Sequence, residues 1–330
     1  LIINKKSKPK PSVVFDTYWK FATERQNIFF NRIEKQEVLT EDPILLRHKF
    51  TNAYRASDRV SQYLIKDVIY KKGDYSQQDI LFRIILFKIF NKIDTWELLE
   101  EEVGDISAKT FTFNKYSKIL SEARQAKETI YSGAYIMTSG KSIFGYDFKH
   151  ENHLKLIEQY ILKPGFLESI QNCKTLESVY SLLRDLPTIG NFLAYQYAID
   201  INYSELTSFS ERDFVMPGPG AKDGIKKCFI SYGNYSEADI IRWVTDNQEN
   251  EFERLGLDFR NLGGRSLHLI DCQNLFCETD KYARIAHPDF VGYSDRKRIK
   301  QIYRCNPENI EYFYPPKWNI DQSFLNYYEA

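Results

Sequence analysis

A net charge is the first thing this chain lacks. Its 45 lysines and arginines are matched by 45 aspartates and glutamates, so no global field announces a polyanionic partner. Disulfides are not expected either. The 5 cysteines are odd in number and show no paired spacing, which points to a reducing compartment. No signal peptide is evident. Long hydrophobic runs are missing: the most apolar stretch, ILFRIILFKIF, is interrupted by Arg83 and Lys88 and is too short to span a bilayer. These absences predict a cytoplasmic protein with no membrane partner. Strand signals are sparse, RSLHLIDC being the best, and there is no internal repeat or low-complexity linker.

What is present is helical periodicity. DTYWKFATERQNIFFNRIEK opens on Asp16 as a plausible N-cap. Ala56, Val60, Tyr63 and Leu64 give Ala56–Tyr70 one apolar face, which leaves Arg55, Asp58, Arg59 and Gln62 on the other. Ser76–Phe90 is apolar almost all round and is expected to be a buried central helix. Further helices are expected near Lys115–Ser132, His153–Leu162, Thr175–Leu183 and Glu237–Phe252. The expected class is mainly α. A basic tail, 1–15, precedes one unit, 16–330, of two helical lobes with a cleft between them. The N- and C-terminal segments would form one lobe and the middle of the chain the other. Charge is uneven locally: from Lys281 to Arg304 seven Lys or Arg face Asp289 and Asp295, a run read as a solvated basic face.

Three strings imitate chemistry. TSGKS at Thr138–Ser142 lacks the glycine that a phosphate-binding loop needs five residues before Gly140, where Tyr135 stands. It is read as a turn. HENH places His150 and His153 at i, i+3, without a third ligand group, and is read as a solvated helix start. Cys272, Cys277 and Cys305 fit neither a zinc nor an iron–sulfur spacing and are read as buried thiols. No metal is expected.

RDLPTIGNFLAYQ is more pointed. Leu182, Leu183 and Leu186 close one helical pattern, while Phe192, Leu193 and Tyr197 open the next. Between them Pro187 resists helix and Gly190 permits a tight backbone. Amides opening the second helix can hold a phosphate without reading a base, or the segment is an ordinary αα-hairpin. Asp213 follows 23 residues after Gly190. It opens a glycine-rich turn, 213–227, in which Gly218, Gly220 and Gly224 free the backbone and Lys222, Lys226 and Lys227 offer cations.

This arrangement resembles the helix-hairpin-helix superfamily of DNA glycosylases, whose pattern is Leu-Pro-Gly-h-Gly followed by a catalytic Asp. Thr188 replaces the first glycine, Phe214-Val215-Met216 replaces the usual Thr-His-Val, and Phe192 occupies the place of the lyase lysine. Longer strings, among them EDPILLRHKFTNAYRASDRVSQYLI, DILFRIILFKIFNKIDTWE, DFVMPGPGAKDGIKKCF and LIDCQNLFCETDKYAR, look like a second family. It comprises the α-glutamyl/putrescinyl thymine pyrophosphorylases and the helical domain of 5-hydroxymethyldeoxyuridine DNA kinases. No P-loop domain is evident, so kinase activity is not expected to carry over.

The resemblance implies a helix-hairpin-helix glycosylase-like fold. It implies a monofunctional DNA N-glycosylase that flips out and excises a bulky modified pyrimidine in anti-phage defence, with Asp213 stabilising positive charge on the sugar. Thr188, Ile189, Gly190, Gly218, Gly220, Lys222 and Lys226 would grip phosphates. Asn52, Tyr54, Arg55, Asp58 and Arg59 would line the base pocket, joined by Asn274, Glu278, Lys281 and Tyr282 if that segment is helical. DNA carrying modified pyrimidines would be the partner. No cofactor is implied beyond a monovalent cation at the hairpin. The alternatives are a hypermodification enzyme acting on activated 5-hydroxymethyluracil with the glycosidic bond left intact, and a non-catalytic reader of modified DNA.

Overall fold

The computed structural model describes residues 7–306 and 310–328. Fifteen α-helices lie among the described residues, with one small antiparallel pairing of Lys10–Pro11 with Phe229–Ser231. The protein is mainly helical. Backbone packing divides it into two compact units. One takes the residues up to Asp58, Phe214–Tyr312 and the chain from Pro316 on; the other takes Arg59–Asp213 and Phe313–Pro315.

The first unit is built on the Val13–Ile33 helix. Ser12, not Asp16, is its N-cap, accepting a bond from the Val14 amide at 3.1 Å. Asp16 sits in the first turn, where a carboxylate complements the helix dipole. Phe15, Tyr18 and Trp19 are buried against Phe229, Phe276 and Phe252, with ring centroids 5.0, 4.6 and 4.9 Å apart. The segment expected to be the best strand, RSLHLIDC, instead runs into the Leu269–Ala286 helix. His268 begins it and Asp271 closes a capping box onto the His268 amide. A local hydrogen-bonded cap outweighs the β-propensity of a short apolar run.

The expected 213–227 turn is largely a helix, Pro219–Cys228, with Gly218 at the N-cap and Pro219 at N1, where its missing amide costs nothing. Its glycines serve packing. A Cβ on Gly224 would lie 2.0 Å from the Phe276 carbonyl oxygen, and one on Gly220 would lie 3.1 Å from Cys277 Sγ. The helix therefore rests directly on Leu269–Ala286. Lys227 is buried there, paired with Asp280 at 2.9 Å.

The second unit surrounds Gln77–Phe90, the buried helix expected from the sequence. Ser76 and Asp79 form its capping box, and every residue from Leu81 to Phe90 is buried. The two cations inside it are satisfied mainly by groups from other segments of the chain. Arg83 donates to the carbonyls of Val68, Ile106 and Asp67 at 2.8, 2.8 and 3.2 Å. Lys88 meets Asn91 Oδ1 at 2.8 Å and Asp200 at 3.3 Å. A fully buried charge is tolerated only when paired in this way.

The continuous helix expected over Ala56–Tyr70 is not formed. A 3-10 turn, Arg55–Ser57, stops at Asp58, whose backbone is extended at ψ 144. A short α-helix, Arg59–Tyr63, follows and runs into a π-helical stretch, Leu64–Ile69. Arg83 takes the Asp67 and Val68 carbonyls, and the Tyr70 amide bonds five residues back to Ile65 at 2.9 Å. Arg55, Asp58, Arg59 and Gln62 thus share no helical face.

His150 and His153 have no exposed surface and so are not a solvated helix start. His150 Nε2 bonds Ser121 Oγ at 3.0 Å. The Tyr131 hydroxyl meets His153 Nδ1 at 2.9 Å, while His153 Nε2 meets the Thr138 carbonyl at 2.8 Å. Of the three thiols expected to be buried, only Cys272 is; Cys277 is half-buried and Cys305 exposed. No helix among the described residues is long and apolar enough to cross a membrane.

Candidate functional site

In the first unit, the residues read as a base pocket form a hydrogen-bonded network that fixes the Thr51–Asp58 segment. Arg25, which sequence reasoning passed over, enters from the Val13–Ile33 helix and donates to Thr51 O and Asn52 Oδ1, both at 2.9 Å. Glu278 accepts from the Thr51 amide at 2.9 Å and pairs with Lys281 at 2.7 Å. Asn274 Nδ2 donates to Thr51 Oγ1 at 2.8 Å. Asp58 Oδ1 accepts from the Asn52 amide at 2.8 Å, while Asn52 Nδ2 reaches the Ser57 carbonyl at 2.8 Å. Asp271 accepts from the Arg55 amide at 2.9 Å.

The electrostatics of this network follow from burial. Desolvation pushes the Asp58 carboxyl up to about 7 and the Glu278 charge adds to that; the Asn52 amide, Arg25 and Arg55 oppose it. The Arg25 guanidinium is lowered by burial, with Asp58 and Glu278 working the other way. Tyr54 is wholly buried; its hydroxyl donates to the Arg265 carbonyl at 2.5 Å and accepts from the Leu262 amide at 3.2 Å. Arg59 belongs to the second unit and is half-buried. Tyr282 bonds Asp42 at 2.6 Å and stands at the edge of a cleft of about 1120 Å³. Glu24, Glu41, Asp42 and Asp258 line that cleft against Lys20, and the sign is wrong for a phosphate backbone.

In the second unit, the hairpin joins Leu176–Arg184 to Asn191–Asn202. Thr188 stands at φ +68, the left-handed region normally left to glycine. Ile189 is buried beneath it. Gly190 is exposed, and no atom lies within 4 Å of where its Cβ would be. No side chain caps the Asn191–Asn202 helix, so its first-turn amides are open to an anion. Phe192 stacks on Tyr135, centroids 5.6 Å apart at 12°. Asp213 is exposed and is the last residue of this unit before the chain crosses back at Phe214. Lys222 and Lys226, in the first unit, are exposed on one face of Pro219–Cys228. TSGKS, expected to be a turn, runs into a helix: Gly140, at φ +70, caps the four-residue helix Lys141–Phe144, and Lys141 pairs with Asp147 at 2.7 Å. No group of three or more metal-ligating side chains occurs among the described residues.

Residues 12–292 match the family described as 5-hmdU DNA kinase, helical domain. The chain belongs to that family. It is 28% identical over 328 residues to a 5-hmdU DNA kinase of Bacillus phage SP10, an alignment covering 93% of this chain and 51% of that kinase. The chain thus spans about half the length of the curated relative it matches. No solved structure matches it.

Family membership corrects the expected activity. The relative is named a kinase, a transferase acting on modified DNA, and not a hydrolase of N-glycosyl bonds. The glycosylase reading falls, and with it the role given to Asp213 in glycosidic cleavage. The motif resemblance had weighted a hairpin and one carboxylate; the longer strings pointed to the family the comparisons support.

Proposed function

We propose that this chain is the DNA-engaging helical module for phosphoryl transfer to 5-hydroxymethyldeoxyuridine in DNA. The observation that carries this reading is the family match over residues 12–292. The substituent on C5 of a thymine-like base projects into the major groove. A hydroxyl there can accept a phosphoryl group while the base stays on its sugar, as hypermodification chemistry requires. Such a transfer depends on positioning and charge neutralisation, and a helical module supplies the positioning.

Two features support the reading. The hairpin at Thr188, Ile189 and Gly190 offers an uncapped helix start, and Gly190 leaves space for a phosphate to approach the backbone. This is the behaviour expected of a helix-hairpin-helix grip. The network around Thr51–Asp58 fixes Asn52, Asn274, Glu278 and Lys281 rigidly, as base-edge discrimination requires.

The test is equilibrium binding to two duplexes that differ only in thymine against 5-hydroxymethyluracil at one position. Reading one additional hydroxyl should favour the modified duplex by about 1–3 kcal/mol, roughly five- to 150-fold. Alkali treatment should reveal no abasic sites. Equal affinity for the two duplexes would overturn the reading.

A further inference from the structure

We propose that residues 292–303, together with Lys222, Lys226, Arg47 and Lys49, form a cationic strip on the first unit that binds the phosphate backbone of duplex DNA regardless of sequence. The proposal deepens the reading above and rests on DNA being the substrate. Most of its central segment, 293–303, lies beyond the family match, which ends at residue 292.

Three anchors build the strip. Asp223 is 2% exposed and accepts from both the amide (3.1 Å) and the hydroxyl of Ser294. Only glycine permits this approach, because a Cβ on Gly292 would lie 2.7 Å from Asp223 Oδ1. Farther along, Arg284 donates to the Arg298 carbonyl at 3.0 Å. Arg284 is itself held by Asp280, which pairs with the buried Lys227. Last, Ile302 and His48 form an antiparallel bridge. It is flanked by bonds from the Lys49 amide to Gln301 O at 3.1 Å and from the Tyr303 amide to Arg47 O at 3.0 Å.

The backbone of the segment is thereby tied down while its cations are left outward. Arg296, Lys297, Arg298 and Lys300 are exposed, and their side chains make no ion pair among the described residues. Lys222 and Lys226 flank Asp223 at one end, and Arg47 and Lys49 lie beside the bridge at the other, all four exposed. Asp289 and Asp295 are the exposed acids of the same stretch, and Asp223 is engaged with Ser294. Tyr293, 59% exposed, lies beneath Lys226 at 5.9 Å.

Eight cations on one tethered strip of a chain with no net charge repel one another in the unbound protein. A duplex carrying one negative charge per roughly 1.7 Å relieves that repulsion and releases counterions. Several elements of the fold are spent on holding this backbone in place, which a merely solvated basic loop does not require.

The full chain carrying Arg296→Gln, Lys297→Gln, Arg298→Gln and Lys300→Gln tests this by fluorescence anisotropy on plain and 5-hydroxymethyluracil duplexes over a range of KCl. Because these side chains are exposed, the melting temperature should not change. Affinity should fall equally on both duplexes, by roughly a hundredfold near physiological salt. The slope of log K against log[KCl] should shrink by about 0.9 for every phosphate that the variant no longer neutralises. Asp223→Ala should weaken binding as well, although it removes a negative charge and simple electrostatics predicts the reverse. Unchanged affinity and slope in the fourfold variant would overturn the proposal. So would a loss confined to the modified duplex, or unchanged DNA binding accompanied by altered self-association or altered binding to anionic vesicles. Preference for the modified base is read separately, from the wild-type ratio of the two affinities, so the strip and the base-recognition reading can fail independently.

Discussion

Burial holds the His153 imidazole neutral and pushes its pKa down to about 4, against the pull of the Thr138 carbonyl. An unfolded chain takes up that proton near pH 6.5. The group's contribution to stability is therefore complete above pH 6.5 and is lost as the pH falls toward 4, by an amount of about 3 kcal/mol. Urea unfolding at pH 7 and at pH 4.5 should show a smaller acid-induced loss for His153→Gln than for the native chain. Asp58 acts with the opposite sign. Its folded value is raised to about 7, so its contribution is present below the unfolded carboxylate value and is lost as the pH rises through 7. Asp58→Asn should stabilise the protein at pH 7.5 and converge with it near pH 4. A parallel pair of curves would remove Asp58 from the pH dependence.

Among the elements, two glycines carry different consequences. Gly224 lies where Pro219–Cys228 meets Leu269–Ala286, and any Cβ there collides with the Phe276 carbonyl. Backbone cannot give way as a side chain can, so Gly224→Ala should cost on the order of 1–3 kcal/mol or more by overpacking, seen as a lower urea midpoint. Gly190 has φ −85 and open space around it. Gly190→Ala should leave the unfolding midpoint within about 0.5 kcal/mol yet weaken DNA binding by crowding a phosphate at the helix start. Full DNA affinity in that variant would make the 175–199 segment an ordinary αα-hairpin. Helical periodicity marked both helices of the hairpin but not Pro219–Cys228, because a glycine-rich string reads as a turn unless its packing partner is known.

For the whole molecule, backbone grip and base reading should separate. Lys222→Ala with Lys226→Ala should lower affinity alike for all duplexes and reduce the salt slope by about one unit for each phosphate released from the protein. Asn274→Ala should leave plain duplex binding near its starting level and erode the preference for 5-hydroxymethyluracil, as measured by competition between the two duplexes. If Asn274→Ala weakened both equally, the Thr51–Asp58 network would be a scaffold and not a reader.

The buried Gln77–Phe90 helix, the mainly helical class and the family strings were all legible in the chain itself. Each rests on local information: capping residues, apolar periodicity, and long stretches of side-chain identity. The sequence also displayed the hairpin, since a proline and a glycine between two apolar helical patterns restrict the backbone wherever they occur. Contacts distant in sequence decided the rest. Arg83 accompanies a π-helical stretch by taking the Asp67 and Val68 carbonyls. His150 and His153 of HENH are buried where Ser121 meets one imidazole and Tyr131 and Thr138 meet the other. The basic run after Lys281 is one tethered strip because Asp223 and His48, 71 and more than 250 residues away, hold its backbone. Periodicity reports which face of an element avoids water. It carries no information on which distant carbonyl or carboxylate will meet a buried cation, and that choice belongs to the tertiary structure.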